Sequence, residues 1–273
     1  MRFTKKYMII RRLLLILLIK GIFSSSAFAA IIILNGLSHK FKIEGGEIYK
    51  GVIEISNTEN VSQTVKLYQT DYTFSSNGNT EYGTPGTTKR SNALWLEIGE
   101  SFFTLGPLEK RIINFQLLVP KMDTLSGTYW SVIMVEGVAP PDTTAPTGQF
   151  TINTVTRYGI QIIATAGNEG KRELKFNDTK IEYKENKKLL IADIANTGDF
   201  MFETLLICEL YDAAGQKLKL KTAYRKKLYP NTSALFEIDL TGIPNGKYNT
   251  LLLADCEDDE AFGIQTQLEI KDE

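Results

Sequence analysis

Apolar and polar residues alternate with a period of two along much of the chain. The clearest segment places apolar side chains at every second position, at Ile113, Phe115, Leu117 and Val119. A second segment has apolar side chains at Phe236, Ile238 and Leu240, with an acidic residue between each pair. Short alternating segments separated by Gly, Asn and Pro turns are typical of antiparallel strands. Since no stretch after residue 29 has a convincing helical spacing, we predict an all-β protein.

The same order of strands and turns occurs twice. Each half has a strand ending in an Asn turn, a second strand ending in a Gly turn, a proline before an alternating strand, and a Gly-x-Tyr sequence. The matching positions are Asn57 and Asn196, Pro107 and Pro230, and Tyr129 and Tyr248. Repetition of a whole strand series indicates one fold used in tandem. We predict two immunoglobulin-like β-sandwiches, over residues 30–166 and 167–273, joined through a linker at 165–170.

The Gly-x-Tyr sequences predict one detail of both sandwiches. In such folds a Tyr near the start of the penultimate strand can turn its hydroxyl back to upstream backbone while its ring enters the core. Glycine permits the turn that precedes this strand. We therefore expect Tyr129 and Tyr248 to occupy matching positions and to form matching hydrogen bonds.

The N-terminus has the layout of a cleaved secretory signal. A basic start is followed by an apolar run at residues 13–19 and by the sequence Ala27-Phe-Ala29. The apolar run is shorter than the ~20 residues that a spanning helix needs. We predict that residues 1–29 are removed and that the mature chain is exported to the periplasm or cell surface without an integral membrane segment.

Removal of the signal changes the charge balance. The segment 1–29 carries six of the 31 basic residues and none of the 32 acidic ones, which leaves a mature net charge of −7. Nucleic-acid-binding proteins usually have a basic excess instead. We therefore exclude nucleic acid as a partner.

Candidate catalytic chemistry is sparse. The one histidine, His39, lies in a predicted edge strand, where we expect it to be exposed. No nucleophile elbow, phosphate-binding glycine loop or zinc-type cluster is present. The acidic residues 255–260 lack the spacing of a helical calcium loop and are expected to form a solvated loop between the last two strands. We predict no metal, no cofactor and no enzymatic activity.

Two further groups of residues have structural explanations. Alternating Lys217, Lys219 and Lys221 are typical of an edge strand that resists pairing with other chains, and a basic groove for an anionic partner is the alternative. Cys208 and Cys256 fall near the same ends of antiparallel neighbouring strands, which places them ~15 Å apart. A disulfide needs Cα atoms within ~7 Å, so we expect two free thiols.

The first half resembles the N-terminal domain of periplasmic pilus-assembly chaperones. The resemblance is carried by Asn57, Trp95, residues 103–107, Pro120, Tyr129-Trp130, and a loop at 138–148 before a last strand at 154–164 with Arg157. It implies a boomerang of two domains whose edge strand completes an unfinished fibre subunit by strand addition. It also implies two basic cleft residues that hold the subunit's C-terminal carboxylate, for which Arg157 and either Lys40 or Lys42 are the candidates. Ile160 and Ile162 are further candidates for partner contact.

Nearly all of the mature chain also resembles bacterial surface proteins that interact with WxL-domain proteins and peptidoglycan. That resemblance is carried by residues 77–82, Asn196-Thr-Gly198, Tyr211-Asp212, residues 229–233 and Gly246-Lys-Tyr248. Two functions therefore remain open. One is a chaperone-like protein that binds exported surface or fibre subunits by β-strand pairing. The other is a cell-surface adhesion module that binds a folded protein or a cell-wall glycan.

Overall fold

The computed structural model describes residues 30–138, 155–257 and 260–271. The predicted signal and its cleavage site at Ala29 lie outside these residues, and so does most of the loop at 138–148. Within the described ranges the chain is built of strands with a single 3₁₀ turn at Ala93–Trp95. In these ranges no helix has the length and apolar character needed to cross a bilayer. The predicted all-β class is confirmed.

Within the described residues the first sandwich has ten strands. They are β1 Ile31–Ile33, β2 Ser38–Ile43, β3 Ile48–Asn57, β4 Gln63–Phe74, β5 Thr80–Gly83, β6 Leu96–Ile98, β7 Phe102–Leu105, β8 Lys110–Leu118, β9 Gly127–Val138 and β10 Arg157–Ala166. One sheet has the order β1-β3-β8-β6, and the other has the order β2-β10-β9-β4-β5, with β7 also paired to β4. The first described segment changes sheets, because β1 pairs with β3 whereas β2 runs parallel to β10. Gly36 lies at this crossing with a φ of 87°.

The described part of the second sandwich has eight strands. They are β11 Leu174–Lys184, β12 Lys187–Asn196, β13 Phe202–Tyr211, β14 Lys217–Thr222, β15 Lys226–Leu228, β16 Ser233–Asp239, β17 Gly246–Asp255 and β18 Ala261–Ile270. Its sheets have the orders β11-β12-β16 and β14-β13-β17-β18, and β15 also pairs with β13. Strand β14, with Lys217, Lys219 and Lys221, lies at a sheet edge as predicted. Each sandwich encloses its own cluster of fully buried aliphatic and aromatic side chains.

The internal repeat reappears as one hydrogen-bond network in both sandwiches. The side-chain amide of Asn57 donates to the carbonyls of Val61 (2.7 Å) and Gly106 (2.8 Å), and its Oδ1 accepts the N–H of Glu59 (3.0 Å). In the second sandwich the partners of Asn196 are the carbonyls of Phe200 (2.7 Å) and Leu228 (2.8 Å) and the N–H of Gly198 (2.9 Å). Both amides are 1% exposed. A buried amide with all these bonds ties the early strand to the proline turn in each copy.

The tyrosine prediction holds in one copy only. The Tyr248 hydroxyl donates to the Pro244 carbonyl at 2.8 Å, as expected. Tyr129 occupies the matching position in β9, but its ring packs on Trp95 at 4.9 Å and under the Arg90 guanidinium at 5.5 Å. Its hydroxyl has no hydrogen bond within the described residues, so the predicted bond is wrong there.

Three expectations about single elements need adjustment. The last strand of the first sandwich spans Arg157–Ala166, later than the predicted 154–164. His39 lies on edge strand β2 as predicted, yet it is half-buried, because its ring packs edge-on against Phe115 at 5.6 Å. The acidic loop between β17 and β18 is not merely solvated, since Glu257 and Glu260 form ion pairs with Lys40 and Arg172.

Both cysteines are free and buried. Cys208 lies opposite Leu252 in the pairing of β13 with β17, and Cys256 lies four residues further along. At ~3.3 Å per residue the two Cα atoms are about 13 Å apart, too far for a disulfide. Burial raises the pKa of the Cys208 thiol to about 12.

A third apolar cluster lies between the sandwiches. Trp130 and Ile163 from the first sandwich meet Tyr229 from the second, with Tyr72, Phe74 and Met201 packed around them. Polar contacts surround the cluster: the Thr128 N–H donates to the Asp199 carbonyl at 2.8 Å, and Arg90 forms an ion pair with the Asp199 carboxylate. The two sandwiches are therefore joined by a packed interface as well as by the chain.

Candidate functional site

Strand β10 is covered along only part of its outer side. On its inner side it pairs with β9 over its whole length. On its outer side β2 pairs with residues 161–166 only. Among the described residues no strand pairs with the outer side of residues 157–160. Within the part of the chain that the structure describes, the first sandwich therefore has an open backbone edge four residues long, which we call the β10 open edge (residues 157–160).

The direction of the backbone groups on this edge follows from the ladder. The Gln161 N–H donates outward to the Leu37 carbonyl at 3.0 Å, whereas the Thr156 carbonyl points inward and accepts the Gly137 N–H at 3.4 Å. Backbone groups in a strand alternate between the two sides, so those of Arg157 and Gly159 point outward. Unpaired N–H and C=O groups of this kind are a template for another strand.

Arg157 lies at the start of this edge and is held by a carboxylate. Its Nε lies 3.0 Å from Glu136 Oε2, and the Tyr68 hydroxyl donates to the same oxygen at 2.9 Å. The hydrogen bond from Arg157 lowers the pKa of Glu136. Half of the Arg157 side chain is exposed, at 51%.

Ile160 and Ile162, both predicted to contact a partner, face the interior of the sandwich. Both are fully buried in the core. Their side chains are therefore not available to a partner in this state, and their contribution is to hold β10 in place. On the opposite face of β10 stand Gly159 and Gln161, and a Cβ on Gly159 would lie 4.0 Å from the Tyr82 ring.

A lysine of the second sandwich lies where the open edge meets β2. Lys227 Nζ donates to Ser38 Oγ at 2.7 Å and to Gln161 Oε1 at 3.0 Å. Its nearest carboxylate, on Glu203, is 3.9 Å away. Burial lowers the pKa of Lys227. Lys227 is therefore a half-buried cation that bonds to neutral groups of β2 and β10 and whose ion pair with Glu203 is long, at 3.9 Å.

The basic candidates from the sequence do not share one site. Lys40 Nζ forms ion pairs with Glu203 (2.8 Å) and Glu257 (3.3 Å) of the second sandwich. Lys42 is exposed, two residues further along β2. Lys40 lies opposite Ile163, six residues from Arg157, which separates these two cations by about 20 Å along the sheet. In this structure Arg157 and the two lysines of β2 are not brought together, and their pairing around one carboxylate stays a prediction.

Sequence reasoning did not single out Lys227 as a cleft residue. Its partners Ser38 and Gln161 are 189 and 66 residues away in the chain, so no local pattern connects them. The periodicity of the second half indicates a strand there but not which residue meets the other sandwich. Lys227 also lines a cleft of about 340 Å³, together with Tyr72, Phe74 and the residues around Ser233.

No protein-family model and no curated protein matches this chain. Among solved structures, a chain of a chaperone–tip adhesin complex in CFA/I fimbriae biogenesis is 16% identical, with a TM-score of 0.48 over 87% of this chain and 98% of that chain. The class 5 fimbriae chaperone CfaA is 14% identical, with a TM-score of 0.48 over 86% of this chain and 98% of that chain. The chaperone–tip adhesion subunit complex of archaic Csu pili from Acinetobacter baumannii is 11% identical, with a TM-score of 0.44 over 87% of this chain and 98% of that chain. The chain is thus similar to structures of fimbrial chaperones and their complexes.

Proposed function

We propose that this protein is a non-catalytic, chaperone-like binding protein of the periplasm, which holds an exported subunit by pairing a strand of that subunit with the β10 open edge. The observation that carries the proposal is the outward direction of the Arg157 and Gly159 backbone groups on a strand that is otherwise covered. An added strand gains main-chain hydrogen bonds there, which give affinity with little dependence on sequence.

The surroundings of the edge supply the remaining chemistry. Lys227 offers a cation whose ion pair with Glu203 is long, at 3.9 Å, and a carboxylate on the partner, such as a chain terminus, is the group that matches it. Tyr82 is 54% exposed beside Gly159 and offers an aromatic surface to the partner's side chains. Arg157 offers a further half-exposed cation at the far end.

The proposal is tested by removing one hydrogen-bond donor from the edge. Gly159→Pro deletes the outward N–H, and Gly159→Ala is the matched control, because it adds a Cβ and keeps the N–H. Tagged protein carrying a photo-crosslinking residue at position 157 would be recovered from the periplasm, and its cross-linked segment identified by mass spectrometry. We expect an exported subunit to be cross-linked to the parent and to the Ala variant, and the Pro variant to lose it.

A crosslinker at Tyr224, which is 89% exposed on the second sandwich, reports adventitious capture. Equal recovery of the same protein from positions 157 and 224, or full retention by Gly159→Pro in a folded protein, would contradict strand pairing at this edge. That result, together with sensitivity of the protein to protease on intact cells, would favour the surface-adhesion function.

A further inference from the structure

Strand β2 is a partial cover on the edge that the proposed function uses. It pairs with residues 161–166 of β10, and among the described residues no strand pairs with its other side. If β2 were to leave, the outward edge of β10 would lengthen from four residues to all ten residues of Arg157–Ala166. At ~3.3 Å per residue this is a change from about 13 Å to about 33 Å.

The inward face of β2 carries an unusual residue for a sandwich core. His39 lies opposite Ile162, whose side chain is fully buried, so both point into the sandwich. The His39 ring meets Phe115 edge-on, with an interplanar angle of 72°. Its Nε2 atom is buried and has no hydrogen-bond partner among the described residues. Burial lowers the pKa of His39.

Among the described residues, no charged group lies against the His39 ring to stabilise its protonated form. Strand β8 presents Phe115 and strand β10 presents Ile162, and desolvation is the sole cause that lowers the His39 pKa. The neighbouring cations Lys40 and Lys42 alternate with His39 and project from the other face of β2, where Lys40 meets Glu203 and Glu257. The titratable Tyr49 of β3 packs against Phe41 and its hydroxyl accepts the Glu44 N–H at 2.9 Å.

We propose that β2 is a displaceable cover of the β10 edge and that protonation of His39 shifts it towards the displaced state. An imidazolium buried without an acceptor is unfavourable, whereas in the displaced strand it is hydrated. The direction of the His39 pKa shift decides how the docking of β2 depends on pH. Docked His39 binds its proton more weakly than displaced His39, so docking is strongest above about pH 6.5, the ordinary value, and weakens as the pH falls below it.

The consequence for binding rests on the proposed function, but the displacement can be measured without a partner. Amide hydrogen exchange by NMR separates the two sides of β10. The N–H groups of Gln161, Ile163 and Thr165 face β2, and those of Ile162 and Ala164 face β9. Protection factors, corrected for the intrinsic pH dependence of exchange, would be compared at pH 7.5 and 5.5.

We expect protection of the three amides facing β2 to fall by up to about tenfold per pH unit, the limit for one proton, while the amides facing β9 change little. His39→Phe keeps an aromatic ring against Phe115 and cannot titrate, so its protection should not change with pH. His39→Gln provides a second neutral side chain if the Phe variant folds poorly. An equal fall on both sides of β10, no fall at all, or the same fall in a neutral variant would overturn the proposal and leave the proposed function untouched.

Discussion

The ring of Tyr229 stacks on the ring of Trp130, with centroids 4.8 Å apart and planes inclined by 19°. These residues belong to different sandwiches, and both are almost completely buried. The Trp130 indole N–H donates to the Tyr72 carbonyl at 2.6 Å, which fixes the ring that Tyr229 covers. The stack therefore holds the second sandwich against the face of β9 and β10, and it brings Lys227, two residues before Tyr229, to the β10 edge.

Tyr229 provides a test of how the interface is stabilised. Its hydroxyl is buried and has no hydrogen-bond partner among the described residues. Tyr229→Phe removes this group and keeps the stack, so we expect the free energy of unfolding to rise by about 1 kcal/mol. Tyr229→Ala removes the stack and should lower it by about 3–5 kcal/mol. Urea unfolding measures both changes, and a loss of stability in the Phe variant would show that the hydroxyl has a partner in solution.

The repeated asparagines provide a second test. Asn196→Ala leaves the buried carbonyls of Phe200 and Leu228 without their donor, and we expect a loss of about 2–4 kcal/mol. Asn57→Ala should cost a similar amount in the first sandwich, because its amide makes the same three bonds. Differential scanning calorimetry of each variant checks this. A difference of more than a factor of two between the sites would show that the copies do not share the energetics of their common network.

The fold could be predicted from the sequence because its signals are local and occur twice. Alternation at positions such as Ile113 and Phe115 fixes which face of a strand is buried, and the Asn and Pro turns recur at matching places. The different environment of Tyr129 could not be predicted, because its ring contacts Arg90 and Trp95, which lie more than 30 residues earlier in the chain. His39 was expected to be exposed, since the sequence places it on an edge strand but does not show which way it points.

The candidate site was predicted only in part for a related reason. Arg157 and the final strand were found because they lie together in the chain. Whether β2 covers β10, and how far, is a register between segments more than 100 residues apart, and no local pattern specifies it. Lys227 reaches the edge only through the packing of Tyr229 on Trp130, which is a contact between the two copies.

The hydrogen bonds to Asp71 should make the stability of the interface depend on pH. Its carboxylate is 1% exposed and accepts the N–H groups of Gly86 (3.0 Å) and Thr88 (2.6 Å) and the hydroxyl of Ser91. Burial acts to raise the pKa of Asp71, but these hydrogen bonds outweigh it and lower the pKa. The stabilisation is therefore fully present above the ordinary value of about 3.9 and is lost as the pH falls through the lower folded value.

Asp71→Asn should remove this dependence and loosen the loop that carries Arg90 to Asp199. We expect a destabilisation of about 1–3 kcal/mol at pH 7 that shrinks towards pH 3, measured by urea unfolding at each pH. Asp123→Asn, at an exposed turn with no hydrogen bond or ion pair in the described structure, is the matched control. A pH-independent difference between Asp71→Asn and the parent would mean that the carboxylate charge is not what the loop recognises.

Replacing Lys227 should weaken partner binding while leaving the stability of the protein nearly unchanged. Lys227→Met keeps much of the aliphatic stem and removes a cation whose burial lowers its own pKa, so we expect the free energy of unfolding to change by no more than about 1 kcal/mol. The neighbouring Lys226→Met is the matched control, because Lys226 Nζ donates to the Leu235 carbonyl within the second sandwich and lies over the Phe236 ring.

If Lys227 holds a partner carboxylate, its loss should weaken partner binding by about tenfold or more, the value of one charge-assisted hydrogen bond, and the Lys226 variant should bind like the parent. The comparison uses the subunit identified by cross-linking at position 157, titrated by calorimetry against each folded variant. Equal affinity of both variants would exclude Lys227 from the partner contact while leaving pairing along the β10 open edge intact.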